Sequence, residues 1–430
     1  MRSRLVPFAV VAVVAVGAVA AMAAAGTMTA HAATAVTDHA TEAGVYENSK
    51  SWAAHEFDNE GDGDLDIVIN DHQKGTTFYE NDGTGHYIRH AGVFPGNPPV
   101  SPSRVPDRHD CAPADVDLNG LTDFYCSAGR NQSNFVKPDY RDNELWMQVT
   151  PWTFTEVGTE MGIGDKCGRG RHVAWFDLAP QDGYPDLVFG NGIERNDPTD
   201  PCNVAANNYP NEYGKVYRNL GVDENGMLLG FALVQDFGYD DPGQRAVEPT
   251  DCDQDGDDDI AAARLKNKTP RLYINGDDKL TLSTTSGLTT ATADVTPFDV
   301  DGDGREDLVQ TSRTKVFWQQ NLGGCRYGTA RTIAGDMAGE WRSVAVGLTP
   351  AGVTVYALAT ADGSNPDDYV FTLSGTVWTG TKAPTVPGLG DEAIAVHPTN
   401  GDTEFLVLNG GNGGEAGIGG PTQLIAVSVQ

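Results

Sequence analysis

The residues best suited to chemistry are acidic side chains that recur in one short loop pattern. In its cleanest copy, FDVDGDGREDLV over Phe298–Val309, aspartates occupy loop positions one, three, five and nine. The other copies begin at Phe57, Ala114, Phe176 and Thr250. A hard cation such as Ca²⁺ takes several oxygen ligands, and alternate carboxylates around a tight glycine turn supply them. The pattern therefore predicts calcium-binding loops.

An EF-hand begins with the same pattern, but it needs a bidentate glutamate at position twelve and a helix on each side. Here position twelve holds Ile69, Ala262 or Gln310, and apolar, strand-like residues follow the loops. We therefore expect loops between β-strands, with simple solvated Asp-Gly turns as the alternative. In the third copy, Ala179 and Pro180 occupy ligand positions, so its metal site is left open.

The charge of the chain narrows the range of partners. The formal net charge is −31, whereas nucleic-acid-binding proteins present a basic face, so we expect no nucleic-acid partner. Two carboxylates 4 Å apart repel by about 1 kcal/mol in water, and by more where water is excluded. We therefore expect metal binding to be coupled to folding.

The N-terminus has the features of a secretion signal. A basic start at Met1–Arg4 precedes an Ala/Val-rich stretch to about Ala25, and Ala30-His31-Ala32 forms a small-x-small cleavage site. We predict a signal peptide at residues 1–32, secretion, and no membrane span after cleavage; a retained anchor is the alternative. The alanine-rich leader is of a Gram-positive bacterial type.

The spacing of the acidic loops also indicates the fold. Their first aspartates, Asp58, Asp115, Asp177, Asp251 and Asp299, are 57, 62, 74 and 48 residues apart, which is typical of a propeller or solenoid. Each unit contains four short β-like segments, the number in a propeller blade. In the fifth unit these are Ala293–Pro297, Asp307–Thr311, Lys315–Gln319 and Thr329–Thr332.

The C-terminal part of the chain, from about residue 338, continues the strand-like segments without the acidic loops. We predict an all-β, seven-bladed propeller in one domain over residues 33–430, with six or eight blades still open. Calcium-loop blades occupy about 52–335 and degenerate blades about 338–430. The seventh blade has only three strands, Glu392–Val396, Glu404–Leu408 and Gln423–Val429. Residues 35–45 resemble a spare outer strand, and we expect them to close the ring beside the last blade.

Six cysteines in a secreted chain suggest disulfides, with buried free thiols as the alternative. Cys111 and Cys126 flank the acidic loop of the second blade on paired strands. Cys167 and Cys202 fall in loops on one face of the disc, and Cys252 and Cys325 in loops on the other. The blade model therefore favours the pairs 111–126, 167–202 and 252–325 among the fifteen pairings that six cysteines allow.

A second set of side chains recurs near the start of each first strand. Six residues before each first aspartate stand Trp52, His109, Arg171, Arg245 and Ala293, and Arg342 falls near this position in the sixth blade. First strands line the central channel of a propeller, so these side chains should ring its mouth. Such a ring suggests an anionic or sugar-like ligand. The alternative is that the arginines pair with neighbouring acids such as Asp110 or Asp294.

The loop sequences resemble the FG-GAP/VCBS repeats of integrin-α-like β-propellers, whose Phe-Asp-x-Asp-x-Asp-Gly-x-x-Asp-Leu loops bind Ca²⁺. The junctions FTEVGTEMGI from Phe154 and GRGRHVAWFDL from Gly168 are similar to those of cartilage-acidic-protein-like VCBS proteins. The resemblance covers about Val36 to Thr332 and implies about four Ca²⁺ sites, with a fifth open. The implied ligands are Asp58, Glu60, Asp62, Asp66, Asp115, Asp117, Asn119, Asp123, Asp251, Asp253, Asp255, Asp259, Asp299, Asp301, Asp303 and Asp307, with Asp177, Asp182 and Asp186 in the third loop.

No catalytic motif accompanies these loops: the sequence contains no HExxH, Gly-x-Ser-x-Gly or P-loop pattern. We predict a non-enzymatic, monomeric binding or adhesion module for an extracellular protein or glycan. Long polar loops at about 130–143 and 191–213 are further candidate binding segments. The alternatives are a glycan-specific lectin, or a propeller-type polysaccharide lyase or hydrolase that uses His72 or His172 beside Arg171.

Overall fold

The computed structural model describes residues 34–49, 51–71, 75–94, 107–129, 142–165, 168, 170–191, 214–237, 244–264, 268–276, 278–335, 340–360, 367–384, 392–398, 403–409 and 420–429. The predicted signal peptide, His72 and most of both long polar loops (130–141 and 192–213) lie outside these residues. Among the described residues, no helix has the length and apolar character needed to span a bilayer.

The first three blades are four-stranded antiparallel sheets with strands in sequence order from the channel outwards. Blade 1 contains Ser51–Phe57, Asp66–Asp71, Gly75–Asn81 and Tyr87–His90. Blade 2 contains Arg108–Ala114, Asp123–Ala128, Glu144–Thr150 and Thr153–Glu156. Blade 3 contains Gly170–Phe176, Asp186–Asn191, Lys215–Asn219 and Phe231–Asp236.

The next three blades repeat this arrangement. Blade 4 contains Gln244–Thr250, Asp259–Arg264, Lys268–Gly276 and Lys279–Leu282. Blade 5 contains Asp294–Phe298, Asp307–Thr311, Val316–Gln319 and Arg331–Ala334. Blade 6 contains Glu340–Thr349, Gly352–Thr360, Tyr369–Ser374 and Val377–Lys382.

Blade 7 is assembled from both ends of the chain. Its inner strands are Glu392–Val396, Glu404–Leu408 and Gln423–Val429, and its outer strand is Thr34–Asp38. The outer strand runs antiparallel to Gln423–Val429, with Thr34 opposite Val429 and Asp38 opposite Ile425. With this blade, the described chain forms seven four-stranded sheets, which confirms the predicted all-β, seven-bladed propeller. A two-stranded ribbon, Asn48–Ser49 with Gly420–Pro421, lies beside it.

The closing segment is shorter as a strand than the predicted residues 35–45. After Asp38 the chain forms a single helical turn, Ala40–Ala43, and Gly44 follows in the left-handed region with φ 85°. The Asp38 carboxylate accepts the Ala40 backbone N–H at 3.1 Å, which favours a turn over continued pairing. Ala40 and Ala43 are buried in the core between blades 7 and 1, so this turn anchors the strand.

Apolar side chains from both faces of the sheets hold neighbouring blades together. The described core divides into seven clusters, and each bridges one pair of adjacent blades, including blades 7 and 1. Between blades 1 and 2, Phe78 packs edge-on against Phe57, Phe94 and Phe124. Burying one such ring stabilises the folded state by about 1.5–3 kcal/mol relative to leaving the ring exposed to water. The ring of blades is therefore closed by hydrophobic packing.

Two of the three predicted disulfides are confirmed. Cys111–Cys126 joins directly opposed residues of paired strands in blade 2. Cys252–Cys325 joins the acidic loop of blade 4 to the last loop of blade 5, and it closes a long stretch of chain across a blade boundary. The predicted Cys167–Cys202 pair lies outside the described residues.

Candidate functional site

The position-one aspartate accepts backbone N–H groups of its own loop in blades 1, 2, 3 and 5. In blade 5, Asp299 accepts the backbone N–H groups of Gly302 and Asp303 on Oδ1 at 2.8 and 3.1 Å, and that of Gly304 on Oδ2 at 2.9 Å. Gly304 has φ 83°, a conformation that favours glycine. Asp58 makes the same three contacts in blade 1. The glycine turn thus folds the loop around this carboxylate.

The position-nine aspartate joins each loop to the third strand of its blade. Buried Asp307 accepts the Val300 N–H at 3.1 Å on Oδ2 and the Asn321 N–H at 2.7 Å on Oδ1. The equivalent pair of backbone bonds is made by Asp66, Asp123, Asp186 and Asp259. These residues therefore have a structural role, and because a carboxylate oxygen can accept more than one contact, that role is compatible with the predicted metal role.

Three loops bring carboxylates close enough to share one cation. Their oxygens lie within 4.8 Å of one another in the sets Asp115/Asp117/Asp123, Asp251/Asp253/Asp255 and Asp299/Asp301/Asp303. In blade 4, the Oδ1 atoms of Asp251, Asp253 and Asp257 are shielded from solvent and have no hydrogen-bond partner among the described residues. Unpartnered, crowded carboxylate oxygens suit Ca²⁺. The described parts of the loops in blades 1 and 3 form no such set.

Burial and crowding oppose the charge on these carboxylates. Burial raises the pKa of Asp66 and Asp123 to about 8. At position seven, which the sequence analysis did not assign, burial and then neighbouring acids raise the pKa of Asp64 and Asp257 to about 6. A raised carboxyl pKa means that ionisation at neutral pH destabilises the folded chain. A bound cation would offset that cost.

An asparagine near the end of the third strand is a repeated element that the sequence analysis missed. Its side-chain amide donates to a loop carbonyl of the preceding blade. The bonds run from Asn81 to Pro398, Asn219 to Val116, Asn275 to Asp177 and Asn321 to Cys252, at 3.1, 2.8, 2.9 and 2.8 Å. The available signal was the glycine one or two residues after each asparagine. These bonds tie each loop to its neighbouring blade.

Replacing Asp307 tests whether position nine stabilises the blade independently of metal. We expect Asp307→Ala to lower the free energy of unfolding by roughly 3–5 kcal/mol, because two buried N–H groups lose their acceptor. Asp307→Asn keeps one acceptor oxygen and should lose less. The measurement is denaturant unfolding, repeated with Ca²⁺ and with EGTA.

Asp223→Ala is the matched control for Asp307→Ala. Asp223 accepts the backbone N–H groups of Asn225 and Met227 at an exposed turn outside the acidic loops. Its replacement should leave the free energy of unfolding close to that of the unsubstituted protein. If Asp307→Ala destabilises the protein only when Ca²⁺ is present, the proposed backbone role is wrong.

The residues predicted to ring the channel mouth occupy backbone irregularities. Each first strand contacts the first strands of both neighbouring blades, so first strands line the channel. In five blades the pairing of first and second strands shifts register near its start. The positions that the strand register skips are Trp52, His109, Arg171 with His172, Arg245 and Arg342. Such β-bulges re-aim side chains and are common beside binding sites.

The structure brings four of the six predicted mouth residues together. The guanidinium carbons of Arg171 and Arg342 lie 5.1 and 5.8 Å from the centroid of the Trp52 ring. Trp52 also stacks on His109 with centroids 4.7 Å apart, and Arg171 Nη1 lies 3.1 Å from His109 Nδ1. For Arg245 only the backbone is described. Two cations from blades 3 and 6 thus meet at one aromatic ring from blade 1.

Next to the mouth, every blade contributes one polar side chain to a ring that we call the channel layer. In blade order it consists of His55, Asp110, His172, Glu248, Asp294, Ser343 and Glu392. Asp110 accepts from His55 at 2.5 Å and from the Val173 N–H at 2.8 Å. Asp294 accepts from Ser343 at 2.8 Å. Asp110 and Asp294 therefore each have a partner other than the mouth arginines among the described residues.

Ionisation in the channel layer is strongly perturbed. Burial opposes charge on His172, but Glu248, Asp110 and Glu392 outweigh that effect and raise its pKa well above the usual value. Burial raises the pKa of Glu248 to about 7. For Asp110 the positive histidines outweigh burial, and its pKa is lowered. Groups with pKa values displaced in opposite directions in a channel are typical of functional sites.

Comparisons with known proteins give one family match and several distantly similar solved structures. Residues 251–310 match the family model described as FG-GAP-like repeat, and the search of curated proteins found no match. One similar solved structure is a lectin of Agrocybe aegerita that recognises non-reducing terminal N-acetylglucosamine. It is 15% identical to this chain with a TM-score of 0.47, and the match covers 78% of this chain and 80% of that chain.

A second solved structure, BBS1N in complex with ARL6DN, is 10% identical, with a TM-score of 0.49 and coverage of 89% of this chain and 93% of that chain. These identities and TM-scores are too low to indicate a ligand. The matched repeat and the ring of seven blades around it together support an FG-GAP β-propeller.

Proposed function

We propose that the protein is a secreted, calcium-stabilised, non-enzymatic binding module that holds an anionic group of an extracellular glycan or protein at the channel mouth. The observation that carries this proposal is the meeting of Arg171 and Arg342 at the Trp52 ring. The blades supply a rigid frame, and binding residues are commonly presented by irregular segments on such frames.

The electrostatics of the mouth favour an anion. Two guanidinium groups beside one ring place positive charge at the mouth, which a carboxylate or sulfate would complement. Guanidinium also binds such groups in a bidentate manner. The chain as a whole has a formal charge of −31, so a local positive site gives an acidic ligand one defined place to bind.

The acidic loops support the calcium part of the proposal. They combine converging carboxylates, solvent-shielded oxygens without partners and raised carboxyl pKa values. In this role Ca²⁺ would fix the connection between the first and second strands of a blade, away from the ligand. The position-one and position-three aspartates, which all three converging sets share, would be its main charged ligands.

The disulfides support secretion. Cys111–Cys126 and Cys252–Cys325 are the kind of bond that forms and persists in oxidising compartments. The second bond covers a blade boundary, where it would protect the loops of blades 4 and 5 outside the cell.

A glycan array in the presence of Ca²⁺, enriched in uronate and sulfate sugars, tests the ligand class. For the best acidic binder, we expect Arg171→Ala and Arg342→Ala to weaken affinity at least about tenfold each, or about 1.4 kcal/mol. Titration calorimetry measures the effect.

Arg331→Ala is the matched control for the mouth arginines. The Arg331 guanidinium lies 4.7 Å from the centroid of the Trp318 ring, which is the same kind of contact on an outer strand of blade 5. Its loss should leave affinity unchanged. Acidic glycans that bind Arg171→Ala as tightly as the unsubstituted protein would refute the proposed site.

A polysaccharide lyase or hydrolase is the second candidate, and one observation favours it. His172 follows Arg171 and lies 3.5 Å from Glu248, whose pKa of about 7 suits a general base near neutral pH. Reducing-end release from acidic polysaccharides separates the two functions. Turnover that disappears in Arg171→Ala but survives chelation of calcium would overturn the non-enzymatic proposal.

A further inference from the structure

The third acidic loop, in blade 3, is held by a single arginine of the same blade. The Arg218 guanidinium donates from Nη2 to the backbone carbonyls of Leu178 and Ala179 at 3.2 and 2.7 Å, and its Nη1 lies 3.4 Å from the Pro180 carbonyl oxygen. The Arg218 side chain is only 18% exposed. Backbone carbonyls that converge on one point are suited to binding a cation, and here three successive carbonyls face a guanidinium.

The strand position of Arg218 also contacts the acidic loop in blade 5. Arg218 precedes Asn219, the third-strand residue whose backbone N–H binds the last aspartate of the loop. The equivalent residue of blade 5, Gln320, donates to the position-three carboxylate of Asp301 at 2.6 Å. In the five blades with an acidic loop, this position holds Glu80, Met147, Arg218, Ile274 and Gln320. The cationic residue of this set therefore lies beside the loop in which Ala179 replaces a position-three carboxylate.

Groups from blade 4 complete the support of the third loop. Asn275 Oδ1 accepts the Ala179 N–H, and Asn275 Nδ2 donates to the Asp177 carbonyl, both at 2.9 Å. The Asp278 backbone N–H donates to the Ala179 carbonyl at 3.0 Å. Asp186 binds one backbone N–H with each carboxylate oxygen. These loop groups are thus bonded within the protein, whereas the described residues leave solvent-shielded carboxylate oxygens of the blade 4 loop without a hydrogen-bond partner.

The carboxylates of the third loop do not fit Ca²⁺. Asp177, Asp182 and Asp186 are all described, but they bring no three carboxylate oxygens within 4.8 Å of one another. A Ca²⁺ ion at the loop carbonyls would also be repelled by the guanidinium. We propose that the Arg218 guanidinium takes the place of the metal ion, so that the third loop is closed by the chain's own cation and binds no Ca²⁺. This goes beyond the proposed function, because the other loops can bind Ca²⁺ whether or not the third does.

Removal of the guanidinium tests whether it closes the loop. We expect Arg218→Met to lower the midpoint of thermal unfolding by roughly 3–6 °C, because the loop carbonyls lose their donors. The shift should be equal in Ca²⁺ and in EGTA. Arg326→Met is the matched control, since Arg326 is exposed and its Nε lies 3.4 Å from the Gly323 carbonyl oxygen; its midpoint should not change. An Arg218→Met shift that is absent in both buffers, or present only with Ca²⁺, would overturn the proposal.

Counting bound Ca²⁺ by equilibrium dialysis tests the metal-free state of the third loop. Asp182 and Asp303 are equivalent, because each precedes the turn glycine and accepts the backbone N–H two residues on. Asp303→Ala should lower the number of bound ions by one, and Asp182→Ala should leave it unchanged. Loss of one ion in Asp182→Ala would refute the proposal. If the unsubstituted protein binds no Ca²⁺, the calcium part of the proposed function fails, and the Arg218→Met melting shift still decides whether the guanidinium closes the third loop.

Discussion

Chelation of calcium is expected to lower the midpoint of thermal unfolding by roughly 10 °C. A loop whose cation is a hundredfold above its Kd stabilises the folded chain by about 2.7 kcal/mol, so four occupied loops contribute on the order of 10 kcal/mol. One kcal/mol shifts the midpoint by about 2–4 °C in domains of 150–250 residues, and by less in longer chains. Differential scanning calorimetry with EGTA, and again after Ca²⁺ is restored, measures the shift.

Single-loop variants show whether the effect of chelation arises in the acidic loops. Asp303→Ala should lower the midpoint less than chelation does, because only the blade 5 loop loses its cation. Asp223→Ala, at an exposed turn, should leave it unchanged. Mg²⁺ should restore little stability, because it requires stricter geometry and gives up its water reluctantly. A melting curve that does not respond to EGTA would show that the loops are turns without a metal role.

The fold was largely predictable because one local pattern repeats. Each acidic loop marks the link between the first and second strands of a blade, so five loops located five blades. The seventh-blade strands Glu392–Val396, Glu404–Leu408 and Gln423–Val429 were predicted with the observed bounds. The last strand of blade 5 was displaced, Arg331–Ala334 instead of Thr329–Thr332. Only Ile333 and Ala334 of this strand face the core, so it has little hydrophobic pattern to fix its ends.

The departures from prediction have a common cause, which is that they depend on contacts between distant residues. The helical turn Ala40–Ala43 is stabilised by burial between blades 7 and 1, which local sequence does not show. The channel layer combines one residue from each of seven blades. In the blades with an acidic loop, its members lie either three or five residues before the first aspartate, so no single offset identifies them. Only the assembled ring reveals that His172 faces Glu248.

The mouth residues were predicted in part: the sequence located them but did not show their contacts. A fixed offset from the acidic loop identified Trp52, His109 and Arg171, because that offset is also where the bulges occur. The offset could not show that Arg171 and Arg342 reach the same indole ring, since side-chain direction at a bulge depends on local backbone geometry. Sequence therefore located the candidates, and the structure determined how they group.

Loss of the N-terminal outer strand is expected to destabilise the whole ring. Deleting residues 33–45 from the mature chain removes five strand pairings and the buried side chains of Ala40, Ala43 and Val45. The lost burial alone should lower the free energy of unfolding by on the order of 5 kcal/mol. The exposed edge of blade 7 would also favour aggregation. Thermal melts and light scattering measure both effects.

Complementation gives the closure prediction a specific control. A synthetic peptide of residues 33–45 should add a strand to the open edge of the deletion variant and restore its melting midpoint. The same peptide carrying Val36→Asp should not, because Val36 packs against the core between blades 6 and 7. In the full chain, Val377→Asp on the exposed outer strand of blade 6 controls for added charge. A deletion variant that melts like the full chain would contradict the prediction.

The closure should also depend on pH through His39. Its Nε2 lies 2.7 Å from Glu404 of blade 7, and the hydrogen bond to Glu404 raises the pKa of His39 although burial opposes the charge; Asp38 and Glu42 add to the increase. The stabilisation is thus fully present below the unfolded pKa of about 6.5 and is lost as pH rises through the higher folded value. The pair is partly exposed, so its contribution is below about 1 kcal/mol. His39→Gln should flatten this part of the stability–pH curve, and the deletion variant should lack it entirely, which would assign the pH dependence to the closing strand.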